Sequence, residues 1–177
     1  MNEQHNPATR PAPLGRAMLL GGWLLGLLLL AYLFNGLLEQ QRNPNRSIQT
    51  VTSGSGLREV VLQRNRHGHY LASGSINSEA VEFLLDTGAS DVSIPESVAR
   101  RLGLQRGAPI VYATANGPIT AYHTRLSSLA LGGIELHEVR ASINPHMDGD
   151  TILLGMSFLK HLEFTQRGDT LIIRQYP

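Results

Sequence analysis

The longest apolar run in the sequence lies near its start. Residues 17–38 contain no charged side chain, and as a helix rising about 1.5 Å per residue they would span roughly 33 Å, enough to cross a bilayer. Arg16 precedes the run and Glu39 follows it, as at the ends of a membrane span. A cleaved signal peptide is the alternative, but its apolar region is usually shorter and no Ala-x-Ala site follows here. We therefore predict a short tail over residues 1–16 and a transmembrane anchor over residues 17–38.

The segment that follows the apolar run is polar. Residues 39–58 include Ser-Gly-Ser-Gly and few apolar side chains, a composition typical of a flexible linker. A random coil of that length has a reach of roughly 25 Å. We expect this linker to let two domains on neighbouring anchors meet.

The rest of the chain, residues 59–177, alternates short apolar segments with turn signals, which predicts an all-β domain. Asn116-Gly117 and Gly132-Gly133 favour hairpins, because the turns typical of two-residue hairpins require positive φ. The predicted strands are residues 59–63, 69–76, 80–85, 109–113, 119–131, 134–143, 151–154 and 171–174. Two short helices are predicted, over residues 95–102 and 156–162.

Composition narrows the function classes. Apolar residues make up 42% of the chain, which is ordinary for a protein with a buried core. The formal net charge is only +1, so we predict no nucleic-acid partner. The absence of cysteine excludes disulfides and thiol nucleophiles.

The tripeptide Asp86-Thr87-Gly88 is the main candidate for chemistry. It directly follows the apolar residues 81–85, so its carboxylate sits where a predicted strand breaks into a tight turn. A weak internal repeat places Gly155 at the matching position of the second half, after the apolar residues 152–154, with no acid there. We expect Gly155 to support the turn that carries Asp86. Because Asp-Thr-Gly occurs once, a mechanism with two such carboxylates requires two chains.

Three motifs occur together in one order, and they carry a resemblance to a known family. They are residues 83–90 around Asp-Thr-Gly-Ala-Ser, residues 113–117 on a predicted hairpin, and residues 152–159 around Leu-Leu-Gly-Met. In this order they resemble the retropepsin-like aspartic proteases, in particular the bacterial membrane-anchored group with the motif Asp-Thr-Gly-Ala. The resemblance covers roughly residues 71–173.

This resemblance implies a fold, partners and a location. The fold would be an all-β half-barrel with two short helices, preceded by one transmembrane helix. The chain would act as a homodimer through the Asp86 loops, on a polypeptide substrate and without a cofactor or metal. The domain would lie outside the cytoplasm, in the periplasm at a bacterial inner membrane. The arginines on the two sides of the apolar run are nearly balanced, so charge alone leaves a cytoplasmic domain open as the alternative.

The resemblance also assigns roles to single residues. Two Asp86 carboxylates would share a proton and activate a water molecule, Thr87 would hydrogen-bond across the interface, and Gly88 would let the backbone approach. The substrate-binding candidates are Ala89, Asp91 and, at the tip of a flap over residues 111–119, Ala115, Asn116 and Gly117. Pro118 makes the flap geometry less regular, because it lacks an N–H group.

Ala89 bears on the working pH. A hydroxyl-bearing residue there would donate a hydrogen bond to the ionised carboxylates, and alanine does not. We therefore predict activity at mildly acidic to near-neutral pH. The alternative function is a dimerising or peptide-binding module without catalysis, although a binder has no need of an acid in a water-poor site.

Overall fold

The computed structural model describes residues 13–114 and 117–177. This part of the chain divides between residues 39 and 40 into two compact units. The first unit belongs to helix α1, which runs from Pro13 to Arg42. The 26 residues from Ala17 to Arg42 are long and apolar enough to cross a membrane, and a signal sequence fits the same description.

The second unit is built from eleven strands and two short helices. In chain order they are β1 (Thr50–Thr52), β2 (Arg58–Gln63), β3 (Leu71–Ile76), β4 (Glu79–Leu85), β5 (Val92–Pro95), α2 (Glu96–Arg101), β6 (Pro109–Thr114), β7 (Gly117–Leu131), β8 (Ile134–Asn144), β9 (Thr151–Leu154), α3 (Met156–Leu159), β10 (Glu163–Arg167) and β11 (Thr170–Gln175). The prediction of an all-β domain with two short helices, preceded by one apolar helix, is confirmed.

Two sheets make up this unit. The larger one has the strand order β3-β4-β9-β5-β8-β7-β6, and β3 also pairs with β7, so the sheet closes on itself with β6 outside the closed ring. Closure requires a close approach at Gly74, where an added Cβ would lie 2.3 Å from the Ala130 carbonyl oxygen and 2.7 Å from the Phe83 ring. The smaller sheet has the order β1-β2-β11-β10, with every pairing antiparallel.

The core fills the space inside the larger sheet and beneath the smaller one. In several strands alternate residues point inwards, as expected for half-buried strands: β2 buries Val60 and Leu62, and β9 buries Ile152 and Leu154. The largest fully buried side chains are Phe83, Phe158, Leu62, Ile76, Ile94, Leu126, Leu129, Leu131, Ile134, Ile143, Ile152 and Leu154. Each of them stabilises the fold by roughly 1.5–3 kcal/mol relative to exposure.

Residues 43–52, half of the segment predicted as a flexible linker (residues 39–58), pack on the domain, so the linker prediction is wrong for them. Asn45 is buried and joins two strands: its amide group donates to the carbonyls of Gln63 and Leu71 at 2.9 and 2.6 Å, and its oxygen accepts the Gln63 N–H at 2.7 Å. Asn43 is also buried, and β1 pairs with β2. Polar composition suggested disorder because side chains that bind strand backbone resemble linker residues in sequence.

Candidate active site

The Asp86 turn begins where two parallel strands end together. β4 and β9 pair in parallel with Leu85 opposite Leu154, and the Asp86 N–H donates to the Leu154 carbonyl at 3.2 Å. Asp86 and Gly155 therefore leave the sheet side by side. The weak internal repeat in the sequence suggested this correspondence between Asp86 and Gly155.

The turn itself is held by its own backbone. The Gly88 N–H donates to the Asp86 carboxylate at 2.9 Å, and the Ala89 N–H donates to the Asp86 carbonyl at 3.2 Å. Thr87 and Gly88 are exposed, while Asp86 and Ala89 are partly buried. A Cβ on residue 88 would lie only 3.2 Å from the carboxylate, tighter than most such contacts. The Asp86 side chain is thus oriented by a backbone donor and still reaches the surface.

Gly155 lies directly against the loop that follows the turn. An added Cβ there would lie 2.2 Å from the Asp91 carbonyl oxygen and 2.7 Å from the Ala89 carbonyl oxygen. The φ angle of Gly155 is −91°, an ordinary value, so its small size is what the site requires. The next two residues then bind the loop, because the Met156 and Ser157 N–H groups donate to the carbonyls of Ala89 and Ser90 at 2.8 and 3.0 Å.

The carboxylate of Asp91, five residues after Asp86, is buried and both of its oxygens have partners within the chain. Its side chain is 3% exposed and pairs with Arg140 of β8, whose two donor nitrogens lie 2.7 and 2.8 Å from one carboxylate oxygen. The other oxygen accepts the hydroxyl of Tyr112 on β6 at 2.5 Å. The pKa of Tyr112 is raised, first by burial and then by its hydrogen bond to Asp91.

An open cleft joins the Asp86 turn to the hairpin of β6 and β7. We call it the Asp86 cleft, and its volume is about 450 Å³. Its lining residues come from the turn, from β6 and β7, and from the strands behind them: Asp86, Gly88, Ala89, Ser90, Asp91, Ser93, Tyr112, Ala113, Thr114, Ile119, Ser142, Asn144 and Leu153. A chain bound in this cleft would contact the candidate acid and the candidate flap together.

The β6–β7 hairpin, predicted as the flap, borders the Asp86 cleft. Thr114 pairs with Gly117, while Ala115 and Asn116, the predicted substrate contacts at the tip, lie outside the described residues. The next pair is Ala113 with Pro118, and Pro118 lacks an N–H group to donate to β6.

The structure separates the predicted site residues into groups. Asp86, Gly88, Ala89 and Asp91 line the Asp86 cleft. Thr87 instead lines a second cavity, to which Asp86 also contributes. Gly117, the predicted tip residue that the structure describes, is not in the lining of the Asp86 cleft. Asp91 differs from its expected role, since both carboxylate oxygens already have partners within the chain.

Sequence reasoning missed Tyr112 and Arg140. One signal was present: Arg140 is a charged residue between Val139 and Ala141, both of which are buried. A charge in such a strand often marks an ion pair. Its partner was beyond reach, because Asp91 is 49 residues away in the sequence.

Comparison with known proteins places the chain in a family. The sequence model of the family described as "gag-polyprotein putative aspartyl protease" matches residues 72–161, about half of the chain. A crystal structure of a retropepsin-like aspartic protease from Rickettsia conorii shares 28% sequence identity with a TM-score of 0.55, and the match covers 73% of this chain and 95% of that one. The chain belongs to the retropepsin-like aspartic proteases, as its sequence motifs predicted.

Two curated relatives are similar over most of the domain. An uncharacterized protein encoded in the cobV 5' region of Sinorhizobium sp. is 33% identical over 128 residues, which are 70% of this chain and 55% of that protein. An uncharacterized protein of Rickettsia prowazekii (strain Madrid E) is 29% identical over 121 residues, 67% of this chain and 52% of that protein. The chain thus spans about half the length of the curated relatives it matches.

Proposed function

We propose that this chain is an aspartic endopeptidase that hydrolyses peptide bonds as a homodimer, with one Asp86 from each copy. The observation that carries the proposal is the position of Asp86. Its carboxylate is oriented by the Gly88 N–H at the mouth of a cleft, and the described part of the same chain brings no second acid to the turn except Asp91, which is already paired. A second copy supplies the missing acid.

The chemistry follows from two like charges held close together. Two adjacent carboxylates do not both ionise readily, so the pair holds one proton. The ionised carboxylate acts as general base and takes a proton from a water molecule, whose oxygen attacks the peptide carbonyl carbon. The protonated carboxyl donates to the carbonyl oxygen as it becomes negative. Protonation of the leaving nitrogen then breaks the C–N bond, and the dyad returns to its starting protonation state.

The cleft favours an extended polypeptide as substrate. Its floor is the Asp86 turn and its side is the edge of the β6–β7 hairpin, and an extended chain gains backbone hydrogen bonds at such an edge. Gly88 and Ala89 leave little side-chain bulk near the acid, so a substrate backbone can approach it.

Anchoring by α1, with the domain on the periplasmic side of a bacterial inner membrane, is part of the proposal. The apolar helix of 26 residues supports it. Fractionation of cells that produce the full chain tests the anchor, since a cleaved signal sequence would release the domain into the soluble periplasmic fraction. Digestion of the domain by protease added to spheroplasts tests its orientation.

Peptide cleavage by the full chain in detergent tests the enzyme. We expect Asp86→Asn to lower the cleavage rate by about 10³-fold or more, because the general base is lost. Asp148→Asn is the matched control, since Asp148 is an exposed aspartate outside the cleft lining, and it should keep full activity. Equal cleavage by wild type and Asp86→Asn, or no cleavage by either, would leave the chain as a binding module.

A further inference from the structure

A groove beside strands β7 and β8 is lined by three arginines. Arg106 follows α2, Arg125 belongs to β7 and Arg140 to β8, and together they line an open cavity of about 610 Å³, which we call the arginine groove. None of the described residues that line this groove is acidic. All three arginines are exposed. Guanidinium groups present planar pairs of N–H donors that match carboxylate oxygens, so the groove favours an anionic ligand.

Two of these arginines face each other across paired strands. Arg125 lies directly opposite Arg140 in the antiparallel register of β7 and β8, which places their Cβ atoms roughly 4.5–5.5 Å apart. Like charges in directly opposite positions are destabilising. An anion bound between the two guanidinium groups would offset that repulsion.

Both arginines keep bonding capacity for such an anion. Arg140 directs Nε and one Nη group at a single oxygen of Asp91, at 2.8 and 2.7 Å, and has no other acceptor among the described residues. Arg125 contacts the Glu138 carboxylate at 3.6 Å, and both of these side chains are 66% exposed. An exposed pair of this kind is weak and is screened by salt, so an acidic ligand can compete for Arg125.

Arg106 adds positive charge from the segment between α2 and β6. Its guanidinium group lies over the ring of Tyr122, 4.7 Å from the centroid, and pairs with Glu96. Arg100 contacts the same carboxylate oxygen at 3.1 Å. Two arginines thus share one carboxylate, so positive charge remains at this part of the groove.

Arg140 connects the arginine groove to the Asp86 cleft. It lines the groove and binds Asp91, which lines the cleft. Two residues further along β8, Ser142 also lines the cleft. Two strand residues span about 7 Å, so an extended polypeptide in the cleft reaches the groove within a few residues.

We propose that the arginine groove binds acidic side chains of the substrate polypeptide, a few residues from the bond that is cleaved, and so selects substrates with an acidic segment. The inference rests on the proposed function, because it names the substrate class of the same enzyme. The connection through Arg140 favours a polypeptide over a free anion, since only a chain occupies the cleft and the groove at once. Each copy of a homodimer would bring one such groove.

Peptide binding to the Asp86→Asn variant tests the groove without cleavage. A fluorescein-labelled peptide with six consecutive glutamates is compared with the same peptide carrying six glutamines, by fluorescence anisotropy on the full chain in detergent at pH 7. We expect the glutamate peptide to bind about tenfold more tightly or better at low salt, because its carboxylates pair with guanidinium groups. The difference should shrink at about 1 M salt, where the Debye length is only about 3 Å.

Substitutions within the groove identify the site. In the Asp86→Asn background, Arg125→Gln should weaken binding of the glutamate peptide by about fivefold or more. Arg125→Lys should bind it more tightly than Arg125→Gln, because lysine keeps the charge although it lacks the paired donors. The pair of Arg125 with Glu138 is exposed, so its loss should leave the fold intact, which circular dichroism checks. Arg66→Gln is the matched control, since Arg66 is an exposed arginine outside the groove lining, and it should bind like its parent.

Cleavage by the wild type tests the consequence for specificity. In a peptide that it cleaves, glutamates placed about three to five residues from the scissile bond should raise kcat/KM about tenfold relative to glutamines, mainly through KM. Arg125→Gln should bring this ratio close to one, and Arg66→Gln should keep it.

The outcomes separate this inference from the proposed function. Binding of the glutamate peptide that depends on Arg125, without any cleavage by the wild type, would support the groove and overturn the enzyme. Equal binding of both peptides, equal loss of affinity in Arg125→Gln and Arg66→Gln, or cleavage that is indifferent to the glutamates would each overturn the groove. Displacement of the peptide by inorganic phosphate, but not by chloride at equal ionic strength, would assign the groove to phosphate and overturn the polypeptide ligand.

Discussion

Two aspartates five residues apart on the same loop have opposite environments. Asp91 is buried, and its charge and both oxygens are matched by Arg140 and Tyr112. Asp86 reaches the surface and receives one backbone donor from its own turn. The first carboxylate stabilises the fold, and the second is the one that the proposed function pairs with its copy in a second chain. The comparison teaches how to tell a structural acid from a candidate catalytic one. The better criterion is whether the carboxylate already has hydrogen-bond and ion-pair partners in its own chain, and nearness to the motif is the poorer one.

The largest expected effect is the loss of peptide cleavage in Asp86→Asn, which tests whether Asp86 is the catalytic acid of the two. Asp86→Asn should remove cleavage, as argued above, and leave the free energy of unfolding within about 0.5 kcal/mol of wild type, because the amide oxygen still accepts the Gly88 N–H. Urea unfolding followed by circular dichroism measures this. A loss of stability as large as that caused by Asp91→Asn would contradict the contrast between the two acids.

Gly155→Ala should be the most destabilising single change at the loop that joins the two acids. The new Cβ would meet two backbone oxygens, at 2.2 and 2.7 Å, which cannot move without shifting the loop. We expect a loss of about 3 kcal/mol in the free energy of unfolding, together with reduced cleavage. Gly54→Ala is the matched control, because nothing lies within 4 Å of its added Cβ. Similar unfolding midpoints for the two variants would show that the packing at Gly155 is not a constraint.

The two partners of the Asp91 ion pair should respond unequally. Arg140→Met leaves a buried carboxylate without its cation, and we expect a loss of about 2–3 kcal/mol. Asp91→Asn leaves an arginine whose side chain is 60% exposed and remains hydrated, so its cost should be about 1 kcal/mol. Urea unfolding at pH 7 compares the two variants. An equal or reversed order would mean that the Asp91 carboxylate is less buried than the structure indicates.

The smallest effect tests the link between Asp91 and the hairpin. Tyr112→Phe removes one hydrogen bond and should cost about 1 kcal/mol, with a rise in KM larger than the fall in kcat. The pKa of Tyr112 is raised above its ordinary 10.0, so its contribution is present below pH 10 and is lost as pH rises through the higher folded value.

Thermal unfolding between pH 8 and about pH 11 checks the sign of this linkage. Wild type should lose more stability than Tyr112→Phe above pH 10. The pKa of Tyr176 is also raised, by its hydrogen bond to Glu163, but that residue is common to both proteins and cancels in their difference. If the stabilities of wild type and Tyr112→Phe fell in parallel with rising pH, the hydrogen bond from Tyr112 to Asp91 would make no pH-dependent contribution to stability.

Much of the fold was predictable from local pattern. Alternating apolar residues located most strands of the larger sheet, and the Asp-Thr-Gly motif located the turn. Three strands were missed: β1, β5 and β10. They have three to five residues each, too few for a two-residue period to stand out, and β10 is almost entirely exposed.

The sequence by itself determined that the chain carries one candidate acid, no cysteine and an apolar helix, and that it belongs to an all-β class. Tertiary structure alone decided that residues 43–52 pack on the domain, that Asp91 is closed off by Tyr112 and Arg140, and that three arginines from separate segments line one groove. The physical reason is distance along the chain. The hydrophobic periods of helices and strands can be recognised from neighbouring residues. Asp91 instead contacts partners that are 21 and 49 residues away, and contacts of that kind produce no periodic pattern in the sequence.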